Sequence, residues 1–295
     1  MAPAPLPGRA GWKLVLPALL LAGAALLMQA QRQPAPDAKQ LVQAAAGMLA
    51  LPVSARHMLV IDEASGKVLM AKDADTIVPI ASITKLMTAM VVLDARLDPQ
   101  ELLRIVRADG EPGQRHGVLG DGVRVPRGTA LQLALLSSEN RAAAALARTY
   151  PGGSVAFNDA LQAKIRSLGL ARTSLTEPVG RSPANTSTAT DVARIVAAAA
   201  RYPEIARITS LREAQVAVNG KARRLHNTNP LVGGAGWDIA LSKTGSSNEA
   251  GSCLTMRMKS RGRHVTVVLL DADGARRRAL DADQIRLALA GTTYF

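Results

Sequence analysis

A hydroxyl and an amine one helical turn apart can act as nucleophile and base. In "PIASITKLMTAM", Pro79 to Met90, Ser82 precedes Lys85 by three residues within a largely apolar segment. Residues at that spacing are neighbours on a helix surface. If the apolar residues enter a core, the amine is drawn toward low dielectric. Its charged form is then penalised, and it becomes a base near neutral pH. Of the nine lysines in the chain, only Lys85 has a serine three positions before it. The competing reading is that Ser82 is an ordinary helix cap. Histidine is the commoner base for a serine nucleophile. However, His57, His116, His226 and His264 sit in unrelated contexts, and no G-x-S-x-G elbow exists for them to serve.

Two further motifs follow in order. "SSEN", Ser137 to Asn140, falls at a break between helical stretches. There Ser138 could relay a proton to a leaving amine, and Asn140 could hold a substrate carbonyl or Lys85; read structurally, the motif caps the helix from Arg141. "SKTGSS", Ser242 to Ser247, reads as a strand ahead of a turn. Lys243 and Thr244 could bind a carboxylate, and Gly245 would permit close approach of a ligand. The alternative for Lys243 is an edge-strand lysine.

Together Ser-x-x-Lys, Ser-x-Asn and Lys-Thr-Gly resemble the penicillin-recognising serine enzymes, the penicillin-binding proteins and class A β-lactamases. The longer stretches "PIASITKLMTAMVVLDA", "SSENRAAAALA" and "LSKTG" with "AG.CL.MR" are similar to the low-molecular-mass D-alanyl-D-alanine peptidases, and most of all to their endopeptidase subgroup, over roughly His57 to Leu289. The resemblance implies an acyl-enzyme on Ser82, with Lys85 as general base and Ser138 completing the proton relay. It assigns Asn140, Lys243, Thr244 and Gly245 to substrate binding and the backbone N–H groups of Ser82 and Ser246 to the oxyanion hole. The substrate would be the D-alanyl cross-links of peptidoglycan stem peptides, with β-lactams as covalent inhibitors and no metal or organic cofactor. The alternatives are a D-alanyl-D-alanine carboxypeptidase, a β-lactamase, or a non-catalytic wall-binding protein. The chain departs from relatives in "SS" after Lys-Thr-Gly and in Glu139, where a class A β-lactamase carries aspartate. The segment "EPVGRSPANTST", Glu177 to Thr188, resembles the cell-wall peptidases' lead into a helix and gives no convincing counterpart of a β-lactamase's deacylating glutamate loop, with Glu177 the residue left open for that role.

The elements that would position these residues are legible in outline. "HMLVIDEASGKVLMAKDAD" reads as a hairpin, Met58–Ile61 against Val68–Ala71. Helices are expected from Pro79 to Asp94, from near Thr129, after Asn140, over "VAFNDALQAKIRSLG" closed by Gly169, and from the Ser/Thr/Asp cluster of "NTSTATD". Beyond Pro203 the texture turns to strands. A pair is expected around Asn219-Gly220, then two or three antiparallel strands, then a closing helix over "LDADQIRLALAG". This predicts an α+β fold, which the resemblance implies is of the β-lactamase/transpeptidase type. N- and C-terminal strands (51–78 and 204–295) would form one antiparallel sheet, with a helical lobe (79–203) inserted between them.

Composition bounds the rest. Hydrophobic residues are 48%, charged 20% and aromatics 2%, so the core must be aliphatic and stacking platforms for single strands are not expected. The net charge of +13 favours an anionic partner, yet the basic runs Arg276–Arg278 and Lys221–His226 read as solvated surface in no nucleic-acid module. The single cysteine, Cys253, reads as a buried inert thiol. Residues 1–30 have the order of a secretory signal: Arg9 and Lys13, an apolar run over Leu14–Met28, then polar residues. Cleavage after Ala30 is expected, with an uncleaved anchor as the alternative, followed by a linker and short helix over 31–50. The body of the chain would then work in the periplasm, with peripheral inner-membrane association left open.

Overall fold

The structure, a computed structural model, describes residues 51–110 and 118–291. The signal over 1–30, the linker and helix over 31–50, and His116 lie outside the described residues. Alternation of apolar side chains sets the first elements. In β1 (His57–Asp62) Met58 and Val60 face one way and Leu59 the other, and the chain folds back as β2 (Val68–Lys72) with Val60 opposite Met70. The short strand β3 (Val78–Pro79) leads through a 3-10 turn, Ala81–Ile83, into α1 (Thr84–Asp94). Every residue of α1 from Thr84 to Val92 is buried, as expected for a helix that is apolar nearly all round.

Other helices wrap α1. Strands β4 (Leu102–Arg104) and β5 (Arg124–Pro126) pair, and β5 runs directly into α2 (Arg127–Leu136). This helix starts two residues before the expected Thr129. The buried Arg127 guanidinium anchors its first turn to Glu101 at 2.7 Å and to the Thr149 carbonyl at 3.2 Å. Next come α3 (Asn140–Arg148) and α4 (Gly153–Ser167), the latter followed by left-handed Gly169. Strand β6 (Thr186–Ser187) pairs with β3 and precedes α5 (Ala189–Ala199), whose Thr188 cap accepts from Asp191 N at 3.0 Å. The last helix of this block is α6 (Pro203–Thr209).

Hairpin β7 (Glu213–Val218) and β8 (Lys221–His226) turns at Asn219 and Gly220, both with positive φ (49° and 70°), as the type I′ preference requires. It does not join the main sheet. Val216, Val218 and Leu225 pack into the core of the helices, while Lys221, Arg223 and Arg224 stay exposed. Three long strands follow: β9 (Ile239–Ser247), β10 (Gly251–Ser260) and β11 (Arg263–Ala272). The five-stranded antiparallel sheet runs β2-β1-β11-β10-β9, so the first strand pairs with the last. The architecture is α+β.

The final helix, α7 (Ala275–Gly291), covers one sheet face: Ala282, Ile285 and Leu289 pack with Met58, Val60, Met256, Val267 and Leu269. The opposite face, with Leu59, Leu241, Val268 and Leu270, meets the helices. α7 begins five residues before the expected Leu280, which corrects the reading of Arg276–Arg278 as plain surface. Arg276 and Arg277 are exposed, but Arg278 is 5% exposed and donates to the Cys253 carbonyl at 3.1 Å. Asp281, one turn on, accepts from Ala55 N at 2.9 Å. These two buried polar groups dock a charged segment that hydrophobic periodicity alone leaves unassigned.

Candidate active site

Ser82 is not the cap of α1. It lies inside the 3-10 turn, and Ile83 takes the N-cap position with no side-chain hydrogen bond. Its half-buried hydroxyl is 2.7 Å from Lys85 Nζ. Two glycines bring other segments against this turn. A Cβ at Gly245, on β9, would stand 2.9 Å from the Ile80 carbonyl oxygen and 3.1 Å from Ser82 N. Gly180 is left-handed at φ 83°, and a Cβ there would overlap the Ala81 carbonyl. Gly245 thus permits a close approach to the serine's own backbone. Ala81 itself takes φ 46°, a strained state for a residue with a side chain, costing about 1 kcal/mol or more.

Lys85 is 1% exposed. Its amine contacts Ser82 Oγ, Asn140 Oδ1 at 2.9 Å and the Val179 carbonyl at 2.8 Å. Burial pulls its pKa down to about 7; Glu177 opposes this, Arg181 reinforces it and Glu139 opposes it. The amine can therefore be neutral, and a base, at neutral pH.

The turn between α2 and α3 brings the second motif in. Ser138 adopts φ 60°, and Glu139, not a serine, caps α3 by accepting from Arg141 N at 3.4 Å. That cap frees Asn140 to meet Lys85. Lys243, from β9, is also 1% exposed, so it is no edge-strand surface lysine although β9 is an edge strand. Its amine donates to Ser138 Oγ at 2.9 Å and to the Thr244 carbonyl at 2.9 Å. Burial, then Lys85, then Arg278 push its pKa well down. Thr244 is paired with the Thr228 hydroxyl at 2.7 Å, and Ser246 is exposed just past Gly245. Ser82, Lys85, Ser138, Asn140, Lys243, Thr244 and Gly245 are thus gathered from three distant segments.

Glu177 has another occupation. Its carboxylate accepts from the backbone N–H of Val179 on Oε2 and of Gly180 and Arg181 on Oε1, at 2.8, 2.6 and 2.8 Å. The Val179 carbonyl, Gly180, Thr228 and the buried Asn185, which donates to the Glu177 carbonyl at 2.9 Å, were not singled out from sequence. A main-chain carbonyl leaves no side-chain signature, and of the four only Gly180 gives a local cue, as a turn glycine two residues after Pro178. His57, His226 and His264 lie on β1, β8 and β11. Cys253 is buried and its thiol is pushed up to about 11, as an inert cysteine should be. Among the described residues no group of three or more His, Cys, Asp or Glu could hold a metal ion, and no helix is long and apolar enough to cross a membrane.

This fold is shared with the Streptomyces K15 DD-transpeptidase, at a TM-score of 0.73 and 25% identity over 81% of this chain and 97% of that one. It is likewise shared with penicillin-binding protein D2 of Listeria monocytogenes, solved in its ampicillin-bound form, at a TM-score of 0.71 and 26% identity over 82% and 99% of the two chains. Fold and site together define a serine hydrolase of the penicillin-binding class. The sequence narrows this further: residues 42–274 match the model of peptidase family S11, D-alanyl-D-alanine carboxypeptidase, and the chain belongs to that family. It is 45% identical over 233 residues to the D-alanyl-D-alanine endopeptidase of Pseudomonas aeruginosa, spanning 77% of this chain and 74% of that protein. It is 40% identical over 237 residues to the Escherichia coli enzyme of the same name, spanning 79% and 76%.

Proposed function

We propose that the protein is a periplasmic D-alanyl-D-alanine endopeptidase that opens D-alanyl cross-links between peptidoglycan stems. The observation that carries this reading is the 2.7 Å contact between Ser82 and a buried lysine amine with a pKa of about 7. Lys85 takes the hydroxyl proton as Ser82 Oγ attacks the scissile carbonyl. The N–H groups of Ser82 and Ser246 receive the developing oxyanion, a contribution of about 3 kcal/mol for a single donor. Ser138, held by Lys243, passes a proton to the leaving amine. Asn140 and Thr244 orient the substrate beside Gly245, and water then releases the acyl group.

Lys243 acts in this scheme through Ser138, to which its amine donates, and with Thr244 meets the substrate's carboxylate side. The endopeptidase assignment draws on the names of the relatives at 45% and 40% identity; a carboxypeptidase would differ only in the leaving group. The site's likeness to an ampicillin-binding fold supports acylation by β-lactams. Incubation with purified muropeptides tests the assignment. Loss of cross-linked dimers with stem pentapeptides intact supports it, whereas release of free D-alanine from pentapeptides alone replaces it with the carboxypeptidase.

A further inference from the structure

The peptide unit joining Val179 to Gly180 is gripped at both ends. Its carbonyl accepts from Lys85 Nζ at 2.8 Å, and its N–H donates to the Glu177 carboxylate at 2.6 Å. The N–H groups on either side, of Val179 and Arg181, reach the same carboxylate at 2.8 Å each. We infer that Glu177 is a positioning residue for the catalytic base: it fixes this peptide plane so that the Val179 carbonyl and Asn140 Oδ1 occupy two directions of the Lys85 amine and leave its lone pair aimed at Ser82. The inference rests on Lys85 being that base.

The argument is one of hydrogen counting. A neutral amine has two hydrogens and one lone pair. Of its three neighbours, Val179 O and Asn140 Oδ1 can only accept, while the Ser82 hydroxyl can donate. Only one arrangement satisfies all three: both N–H bonds go to the carbonyls, and the Ser82 O–H points at the lone pair. When the proton moves, the Ser82 O–H bond breaks and a third N–H bond forms. The electron pair left on Oγ goes to the substrate carbonyl carbon, and the new ammonium finds three oxygens already in place. Without a fixed Val179 carbonyl the amine rotates about Cε–Nζ, and its lone pair is spread over several directions.

The loop cannot hold that carbonyl unaided. It has no ladder or helix over 177–182, and buried N–H groups need acceptors. Asn185 ties the carboxylate down from behind, with Nδ2 at 3.1 Å from Glu177 Oε1. The charged groups around Lys85 are Glu177 and Arg181 on this loop, Glu139 on the α2–α3 turn and Lys243 on β9.

The test is the second-order rate of penicillin acylation against pH, for wild type, Glu177→Gln and Glu177→Asp, each normalised to the folded fraction. Wild type should show an acid limb near 7. Glu177→Gln should lower the plateau roughly tenfold or more, since misplacing a reacting group is costly. It should also move the limb to lower pH, because the charge that raised the amine's pKa is gone. Glu177→Asp keeps the charge but falls a methylene short, so its plateau should drop with the limb in place. A merely structural role would lower thermal stability and leave both rate and limb alone; that outcome overturns the inference. Should the glutamine variant not fold, the aspartate plateau decides. Failure of the underlying reading is separate: wild type would form no adduct, or Ser82→Ala would still form one.

Discussion

The layer between α7 and the sheet and the floor beneath Ser82 are both buried, and they follow opposite rules. The first is made of side chains from alternating positions, such as Met256, Val267 and Leu269 against Ile285 and Leu289, with every strand paired by its neighbours. The second is made of backbone pressed on backbone, at Gly180 and Gly245 against Ile80–Ser82. It also holds two non-glycine residues in the left-handed region, Ala81 and Ser138, and two buried lysines that face neutral oxygens. The apolar layer gains stability wherever it removes surface from water. The floor gives stability up, because desolvating an amine opposes folding, and gains a neutral base in return. Burial alone therefore says little about purpose; what the buried atoms face decides it.

Substitutions can sharpen or break this contrast. The largest effect is expected from Ser82→Ala: intact-mass measurement should show complete loss of the penicillin adduct with the thermal midpoint nearly unchanged. An adduct that survives would place the nucleophile elsewhere. Next, Met256→Ala, at a site with no exposed surface, should cost about 2–5 kcal/mol in urea unfolding while the folded molecules acylate at the wild-type rate. A slowed rate at unchanged stability would mean that the two regions are not separate. The smallest effect is a pH slope. Lys85 and Lys243 are held below the ordinary lysine value of 10.5 in the folded state, Lys85 at about 7. From about pH 7 up to that value the unfolded chain binds more protons than the folded one. Stability should therefore rise with pH across the window, by up to about 1.4 kcal/mol per unit for each group. Urea midpoints at pH 7 and 9 measure this, and Lys85→Met should flatten the slope; an equal slope in that variant would show that the amine is not held neutral.

Much of this was readable in the chain, and the contrast explains which parts. The hairpin at Asn219-Gly220, the final strands, of which three form where two or three were expected, and the helix after Asn140 follow from local rules of alternation and turn chemistry, while the helix expected from Pro79 opens as the 3-10 turn Ala81–Ile83 and becomes α-helical at Thr84. The three motifs around Ser82, Ser138 and Lys243 are likewise local strings, and the fold brings them together. The early starts of α2 and α7 escaped because buried Arg127, Arg278 and Asp281, which anchor them, read as surface charges in isolation. The Val179 carbonyl, the Thr228 hydroxyl and the role of Gly245 as a spacer escaped for a different reason. Each depends on what another segment does, 94 residues away for the Val179 carbonyl and 16 for Thr228, and no periodicity encodes that.

The pairing of β1 with β11 has a consequence in time. A ribosome makes Ser82 and Lys85 early, but Lys243 and the strands that seat it arrive only near the end of synthesis. Until Arg263–Ala272 has emerged, β1 has just one neighbour and the β9–β10 pair that bears Lys243 has no strand joining it to β1, and such long-range pairing is slow to form. Unfinished or unfolded copies therefore carry a serine without its machinery. A hydrolase built this way completes its site only when synthesis is nearly finished.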